Sequence, residues 1–216
     1  MSISTRERIV AEALRLFADR GYAATSVAEI EAASGLSPGA GGLYRHFPSK
    51  QEVLSAAIRE HIDRTREQVV TVLAQSETLQ DKPVELRLRM TCHAGIAKMR
   101  EEQDLIRVLF RDLDQFPQLV ADLRDGVVNP LYDGIAIWLG SQPEFKDLEE
   151  DWQAIAAVLG GAVVNYWLAN ESLYETPIKT DEKRFVAAWA RLALGLIGDV
   201  SVHQTAPAAV PQAGGK

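Results

Sequence analysis

Apolar residues recur three and four positions apart along most of the chain, and strict apolar–polar alternation is almost absent. The pattern predicts an all-α protein. Val10, Ala13, Leu14 and Phe17 mark the buried stripe of a first helix, which Ser4 and Glu7 open as a capping box and Gly21 ends. Ser26 and Glu29 form a second box ahead of Val27, Ile30 and Ala33, and Gly35 stops that helix. Ser37 and Pro38 then open a short helix ending near His46, with Leu43 and Phe47 turned inward and Tyr44, Arg45 and His46 outward. Ser49 and Glu52 cap a long helix carrying Val53, Leu54, Ala57, Ile58 and Ile62, which runs to about residue 74.

Helices continue beyond a polar loop at 76–82. Pro83 opens one with the stripe Leu86, Met90, Ala94 and Ala97, and another covers 105–113. Phe116 and Pro117 start a helix burying Leu119, Val120 and Leu123, and Pro130 is expected to kink or divide its continuation near Asn129. After an acidic loop at 142–150, two strongly apolar helices span 151–170 and 181–198. The end of the chain lacks periodicity and is rich in Ala, Pro and Gly, as expected of a disordered tail. The expected division is a small helical domain at 1–48, a larger one at 49–203 and a tail at 204–216.

The two late helices are apolar nearly all round, which calls for two packing partners. In the first, Trp152, Ile155, Leu159 and Tyr166 form a large-residue side, opposite a stripe of Ala157, Gly161, Val164 and Leu168. The last helix sets Trp189, Leu192 and Leu196 against Ala188 and Gly195. One face fills the core and the other meets a second copy, so Ala157, Gly161, Val164, Leu168, Ala188, Leu192 and Gly195 are the expected interface of a four-helix homodimer. A single thick core within a monomer is the competing arrangement.

Two features of residues 26–50 exceed what folding needs. Gly39, Gly41 and Gly42 fall in or beside a short helix, where each costs roughly 1 kcal/mol against alanine. Such a cost is explained where backbone approaches another surface closely. Lys50 stands in the first turn of a helix, where the dipole disfavours a cation unless an external anion joins it. It is either a solvated surface lysine or, beside Tyr44, Arg45 and His46, part of a phosphate site.

The run GLSPGAGGLYRHFPSKQEVL, with Gly35, Leu43-Tyr44, His46-Phe47 and Ser49-Lys50, resembles the DNA-binding domain of the tetracycline-repressor-like (TetR) family of bacterial transcription regulators. That resemblance implies a helix-turn-helix whose reading helix enters the major groove, and a second domain that binds a small molecule and dimerises through its last two helices. The implied DNA contacts are Thr25, Ser26, Ser37, Pro38, Gly39, Ala40, Gly41, Gly42, Tyr44, Arg45, His46 and Lys50. Thr25 is either a phosphate contact or a turn residue. From Gly35 to Tyr44 the chain is two residues longer than the family's spacing, so the side chains of residues 37–42 that face the groove are not carried over.

Charge sharpens this picture. The net charge of −7 is unpromising for a nucleic-acid binder. Residues 1–50, however, hold six Lys/Arg against five Asp/Glu, and none of the acidic residues lies between Ala32 and Lys50. The remainder holds seventeen against twenty-five, so the reading element is positive and the body acidic. A single cysteine, Cys92, together with the lack of a signal peptide or a run of ~18 apolar residues, predicts a cytoplasmic protein without membrane association.

Met90, His93, Met99, Trp138, Trp152, Asn165, Tyr166 and Trp167 are candidate lining for a pocket taking a small apolar or amphipathic ligand. Aromatics and Met at helical spacing are equally the makings of a core. Enzymatic signals are missing: Cys92 and His93 diverge by ~100° on one helix, and the four histidines lack metal-ligand spacing. No cofactor or metal is expected. The sequence therefore predicts a homodimeric, ligand-responsive regulator on operator DNA, most simply a repressor. The alternatives are an all-helical enzyme and a helical scaffold that does not bind DNA.

Overall fold

The computed structural model describes residues 3–112, 115–172 and 180–198, and all regular structure among them is helical. Helix α1 (Thr5–Arg20) and α2 (Val27–Ala33) are followed by one 3-10 turn (Leu43–Arg45) and the long α3 (Lys50–Thr78). Then come α4 (Val84–Glu101), α5 (Gln103–Asp112), α6 (Pro117–Leu123), a π turn (Arg124–Val128) and α7 (Asn129–Gly140). Helix α8 (Trp152–Trp167), which ends in a second π turn (Leu168–Ser172), and α9 (Glu182–Gly198) complete the fold. The tail at 204–216 lies outside the described residues.

The capping residues act as their spacing requires. The Ser4 hydroxyl accepts the Glu7 N–H while the Glu7 carboxylate accepts the Ser4 N–H at 2.7 Å. Ser26 and Glu29 repeat the exchange. Ser49 accepts the Glu52 N–H at 3.1 Å, but the Glu52 carboxylate pairs with Arg59 instead. Gly21, at φ 91°, ends α1 and donates its N–H to Phe17.

Two cores result. In the first, Ile9, Ala13 and Phe17 of α1 meet Ile30, Leu43 and Phe47 together with Val53, Leu54 and Ile58 of α3. It runs on into Leu105 and Val108 of α5 and Leu119 and Leu123 of α6, so packing continues across residue 48. The second gathers Leu88, Cys92 and Ile96 of α4 with Leu139, Phe145, Leu159, Tyr166, Val186 and Trp189. The Trp189 indole donates to the Leu159 carbonyl at 2.9 Å, locking α9 onto α8.

The expected buried face of α4 changes. The stripe Leu86, Met90, Ala94 and Ala97 faces outward, and α4 buries Leu88, Cys92 and Ile96 instead. The two sets differ by two positions, about 200° around a helix. Arg87, only 3% exposed, explains the choice: it faces inward to clamp the 141–150 loop through Gln142 and Glu144. Pro130 sits in the first turn of α7, and the π turn that ends at Val128 divides the helix near Asn129, as expected. Finally, Trp152–Glu171 is long and apolar enough, by composition alone, to cross a bilayer (mean hydropathy 1.3), which the reading of consecutive apolar residues did not anticipate. Helix α8 packs against α4, α7 and α9, and only 33% of that stretch is buried within the protomer.

Candidate nucleic-acid interface

Residues 34–46 connect α2 to α3 without an α-helix of their own. Gly35, Gly39 and Gly41 take φ of 74°, 75° and 72°, a region closed to other residues without strain. The short helix expected from Pro38 is therefore a series of turns that becomes regular only at Leu43. The reason is the glycine sequence itself, since each left-handed residue breaks the ladder. Leu43 and Phe47 are 0% and 3% exposed and anchor the far end in the first core.

A buried carboxylate holds the middle of this connection. Glu31, on α2, is 0% exposed, and it accepts the Gly39 N–H at 2.7 Å and the Leu43 N–H at 3.0 Å. Sequence reasoning passed over it, because an acidic residue on a short helix ordinarily reads as solvated. Its place directly after Ile30, on the side that the helical phase buries, was the available signal.

Ser37, Pro38, Gly39 and Ala40 are exposed, Gly41 and Gly42 half-buried, and Tyr44, Arg45 and His46 exposed. No described residue pairs with the side chains of Arg45 or His46. Ser26 is exposed at the start of α2, with its hydroxyl donating to Glu29 at 2.7 Å. These residues expose cations, hydroxyls and small side chains, while Glu31 is buried and holds the backbone at Gly39 and Leu43.

Thr25 and Lys50 are placed differently from expectation. Thr25 is 1% exposed, and its hydroxyl donates to the carbonyls of Gly21 and Leu16 at 2.9 and 3.2 Å, so it is a turn residue. The Lys50 ammonium donates to the carbonyls of Tyr22 and Thr25, both at 2.7 Å, and lies 4.2 Å from the centre of the Tyr22 ring. Burial pushes its pKa below the usual lysine range, against the pull of Asp112 and Glu29. The sequence argument sought an external anion to justify a cation at a helix start. Two carbonyl oxygens and an aromatic face supply that negative potential from within.

Tyr22 links this face to the rest of the protein. Its ring packs on Phe17 and edge-on against Phe116, with centres 5.1 and 4.8 Å apart. Its N–H donates to Asp112 at 2.9 Å, and Arg111 donates to the Ala18 carbonyl at 3.3 Å. The end of α5 thus grips the α1–α2 link from one side while Lys50 grips it from the other.

The ligand candidates do not share one surface. Met90 and Asn165 face outward, and exposed His93 lies 2.6 Å from Glu182 through Nδ1. Met99, Trp138 and Trp152 pack at the edge of the second core. Tyr166 is buried and stacked on Phe185 at 4.2 Å, and Trp167 is 0% exposed with no partner for its indole N–H among the described residues. Helical phase separates these sets, as it does the two stripes of α4. Burial pushes the Cys92 thiol up to about 12, so it carries no thiolate at neutral pH.

On the outer side of α8 and α9, Ala157, Ala188, Leu192 and Gly195 are exposed, and Gly161, Val164 and Leu168 half-buried. A Cβ placed at Gly161 or Gly195 would meet no described residue within 4 Å. Val158 and Leu192 are 71% and 73% exposed on the same pair of helices.

Residues 9–57 match the family model described as bacterial regulatory proteins, tetR family. The chain is 33% identical over 107 residues to the HTH-type transcriptional regulator YerO of Bacillus subtilis (strain 168), covering 50% of this chain and 35% of YerO. It thus spans about a third of that curated relative's length. The fold is similar to that of a TetR-family transcriptional regulator from Mesorhizobium loti MAFF303099, with TM-score 0.68 and 20% identity, over 89% of this chain and 96% of that one. It is also similar to AibR, solved with isovaleryl coenzyme A and operator DNA, with TM-score 0.57 and 22% identity over 90% and 97% of the two chains.

Proposed function

The chain belongs to the TetR family of bacterial regulatory proteins, and on that premise we propose that it is a homodimeric repressor which a small-molecule inducer releases from a palindromic operator. The observation that carries this reading is the acid-free stretch 37–46, which exposes residues 37–40 and 44–46 and is fixed to a buried scaffold by Leu43, Phe47 and Glu31. The DNA-binding unit is 1–48. Tyr44, Arg45, His46 and Ser26 hold phosphates, and residues 37–42 approach base edges; phosphate contacts position the reader and base contacts specify. Thr25 and Lys50 stand behind this face and shape the link that presents it.

Dimerisation uses the outer face of α8 and α9. A helix as apolar as α8, with only 33% of its stretch buried in the protomer, leaves surface that a second copy covers. The open positions at Gly161 and Gly195 permit close backbone approach. The inducer is an apolar or amphipathic molecule with a hydrogen-bond acceptor. Trp167 supports this, because its buried indole N–H has no partner among the described residues, and an acceptor on a ligand would satisfy it. AibR, crystallised with both an acyl-coenzyme A and operator DNA, is the precedent among similar folds.

Selection from a randomised DNA library with the purified chain tests the DNA reading. It should enrich one inverted repeat, and a ligand that changes tryptophan emission should weaken binding to that DNA by the reciprocal factor. Failure to enrich any sequence would overturn the regulator reading. A ligand that binds tightly and leaves DNA affinity unchanged would remove the inducer role.

A further inference from the structure

A segment that reads base edges must hold one shape, because a fluctuating reader gives up discrimination when it orders. Residues 37–42 do not obtain that shape from a helical ladder, since Gly39 and Gly41 are left-handed and regular structure resumes only at Leu43. One side chain closes the arc instead. The two oxygens of Glu31 accept from Gly39 and from Leu43, so a single carboxylate ties both ends of the five-residue stretch 39–43. Ala40 is left exposed on the outer side of the arc. No described residue gives Glu31 a counter-charge, and a buried, unpaired carboxylate is costly wherever an apolar side chain would pack as well. The two backbone donors are what this carboxylate is there to hold.

We propose that Glu31 is the positioning residue for sequence discrimination: it fixes the 39–43 arc in the shape that meets base edges, without itself touching DNA. This rests on the DNA-binding reading above. The phosphate-holding side chains are separable from it, because Tyr44 and Arg45 lie on the 3-10 turn, which His46 caps and which buried Leu43 and Phe47 anchor. Glu31 therefore governs the ratio of specific to random binding, whereas Arg45 and His46 govern overall affinity and its salt dependence. In Glu31→Gln one acceptor becomes a donor facing a backbone N–H, so one end of the arc is released.

The test uses the full chain and the fragment that it enriches, beside random DNA of equal length. For Glu31→Gln, affinity for the enriched fragment should fall about tenfold or more, with random-DNA affinity and the salt slope unchanged. Hydrogen exchange at the Gly39 and Leu43 amides should quicken by about tenfold, with α1 amides unaffected. An unchanged ratio of specific to random affinity, or an equal loss on both, overturns the proposal. Should the glutamine variant lose helicity, Glu31→Asp keeps the charge but is too short to span both amides, and the same split is required of it. A parent chain that enriches no sequence sinks the regulator reading and this inference with it. A parent that enriches one, beside a variant with unchanged discrimination, sinks the role of Glu31 alone.

Discussion

Lys50 illustrates how a residue's role follows from what surrounds its charge. With two carbonyl acceptors at 2.7 Å and the Tyr22 ring beneath, its ammonium fastens the α1–α2 link to the start of α3. Lys50→Met should cost on the order of 1–2 kcal/mol of stability, measured by urea unfolding, and leave the salt slope of DNA binding nearly unchanged. A salt slope lowered by about 1 at unchanged stability would restore the phosphate contact. Glycines in the arc divide by dihedral angle. Gly41, at φ 72°, should lose DNA affinity strongly on change to Val, whereas Gly42, outside the left-handed region, should accept Ala with a small effect. Equal tolerance at both, in gel-shift titrations, would show that the arc is not held as described. At this scale the sequence was legible for caps and anchors, because Ser4, Ser26, Leu43 and Phe47 act through neighbours three or four positions away. It was not legible for Lys50 or Glu31, whose partners are backbone groups distant in sequence and brought close only by the fold.

Among elements, α5 has the most consequential placement. It contributes Leu105 and Val108 to the first core and, through Asp112 and Arg111, holds the link that follows α1. On the proposed reading, these contacts are the route by which a shift of α5 relative to α4 would be felt at the α1–α2 link. Asp112→Asn should weaken the Tyr22 N–H bond and reduce the coupling between inducer and DNA more than either binding constant alone, as a double titration would reveal. Helix α3 is tied to the end of α4 by another pair. His61 Nδ1 lies 3.0 Å from Glu102 without good hydrogen-bond alignment, and Lys98 lies 2.9 Å from the same carboxylate. Burial alone would raise the Glu102 pKa, but the contacts with His61 and Lys98 outweigh it and bring it to about 2. A depressed acid stabilises the fold fully above the ordinary carboxylate range near 4.5 and loses that contribution as pH falls toward 2. Glu102→Gln should flatten the pH dependence of the urea midpoint within that window, and an unaltered profile would mean the pair contributes nothing. Helix positions were readable from caps and prolines. The buried face of α4 was not, because Arg87 turns inward to meet Gln142 and Glu144, which lie more than fifty residues away.

For the whole molecule, two-fold assembly decides whether one small reading surface suffices. A single arc offers a handful of contacts, and joining two in one molecule raises affinity without any new contact. Gly161→Leu should prevent close approach across α8, giving a helical monomer in light scattering with operator affinity reduced toward the random-DNA level. A variant that remains dimeric would place the interface elsewhere. The apolar surplus of the late helices was visible in the sequence, but its division into covered and open faces needed the packing of α8 on α4, α7 and α9. The most direct test of a symmetric DNA reader is footprinting of the full chain on the fragment it enriches. The account predicts two equally protected half-sites related by inversion, their centres one helical turn apart, about 34–36 Å, with two chains bound per fragment. A single protected half-site occupied by one chain would contradict it.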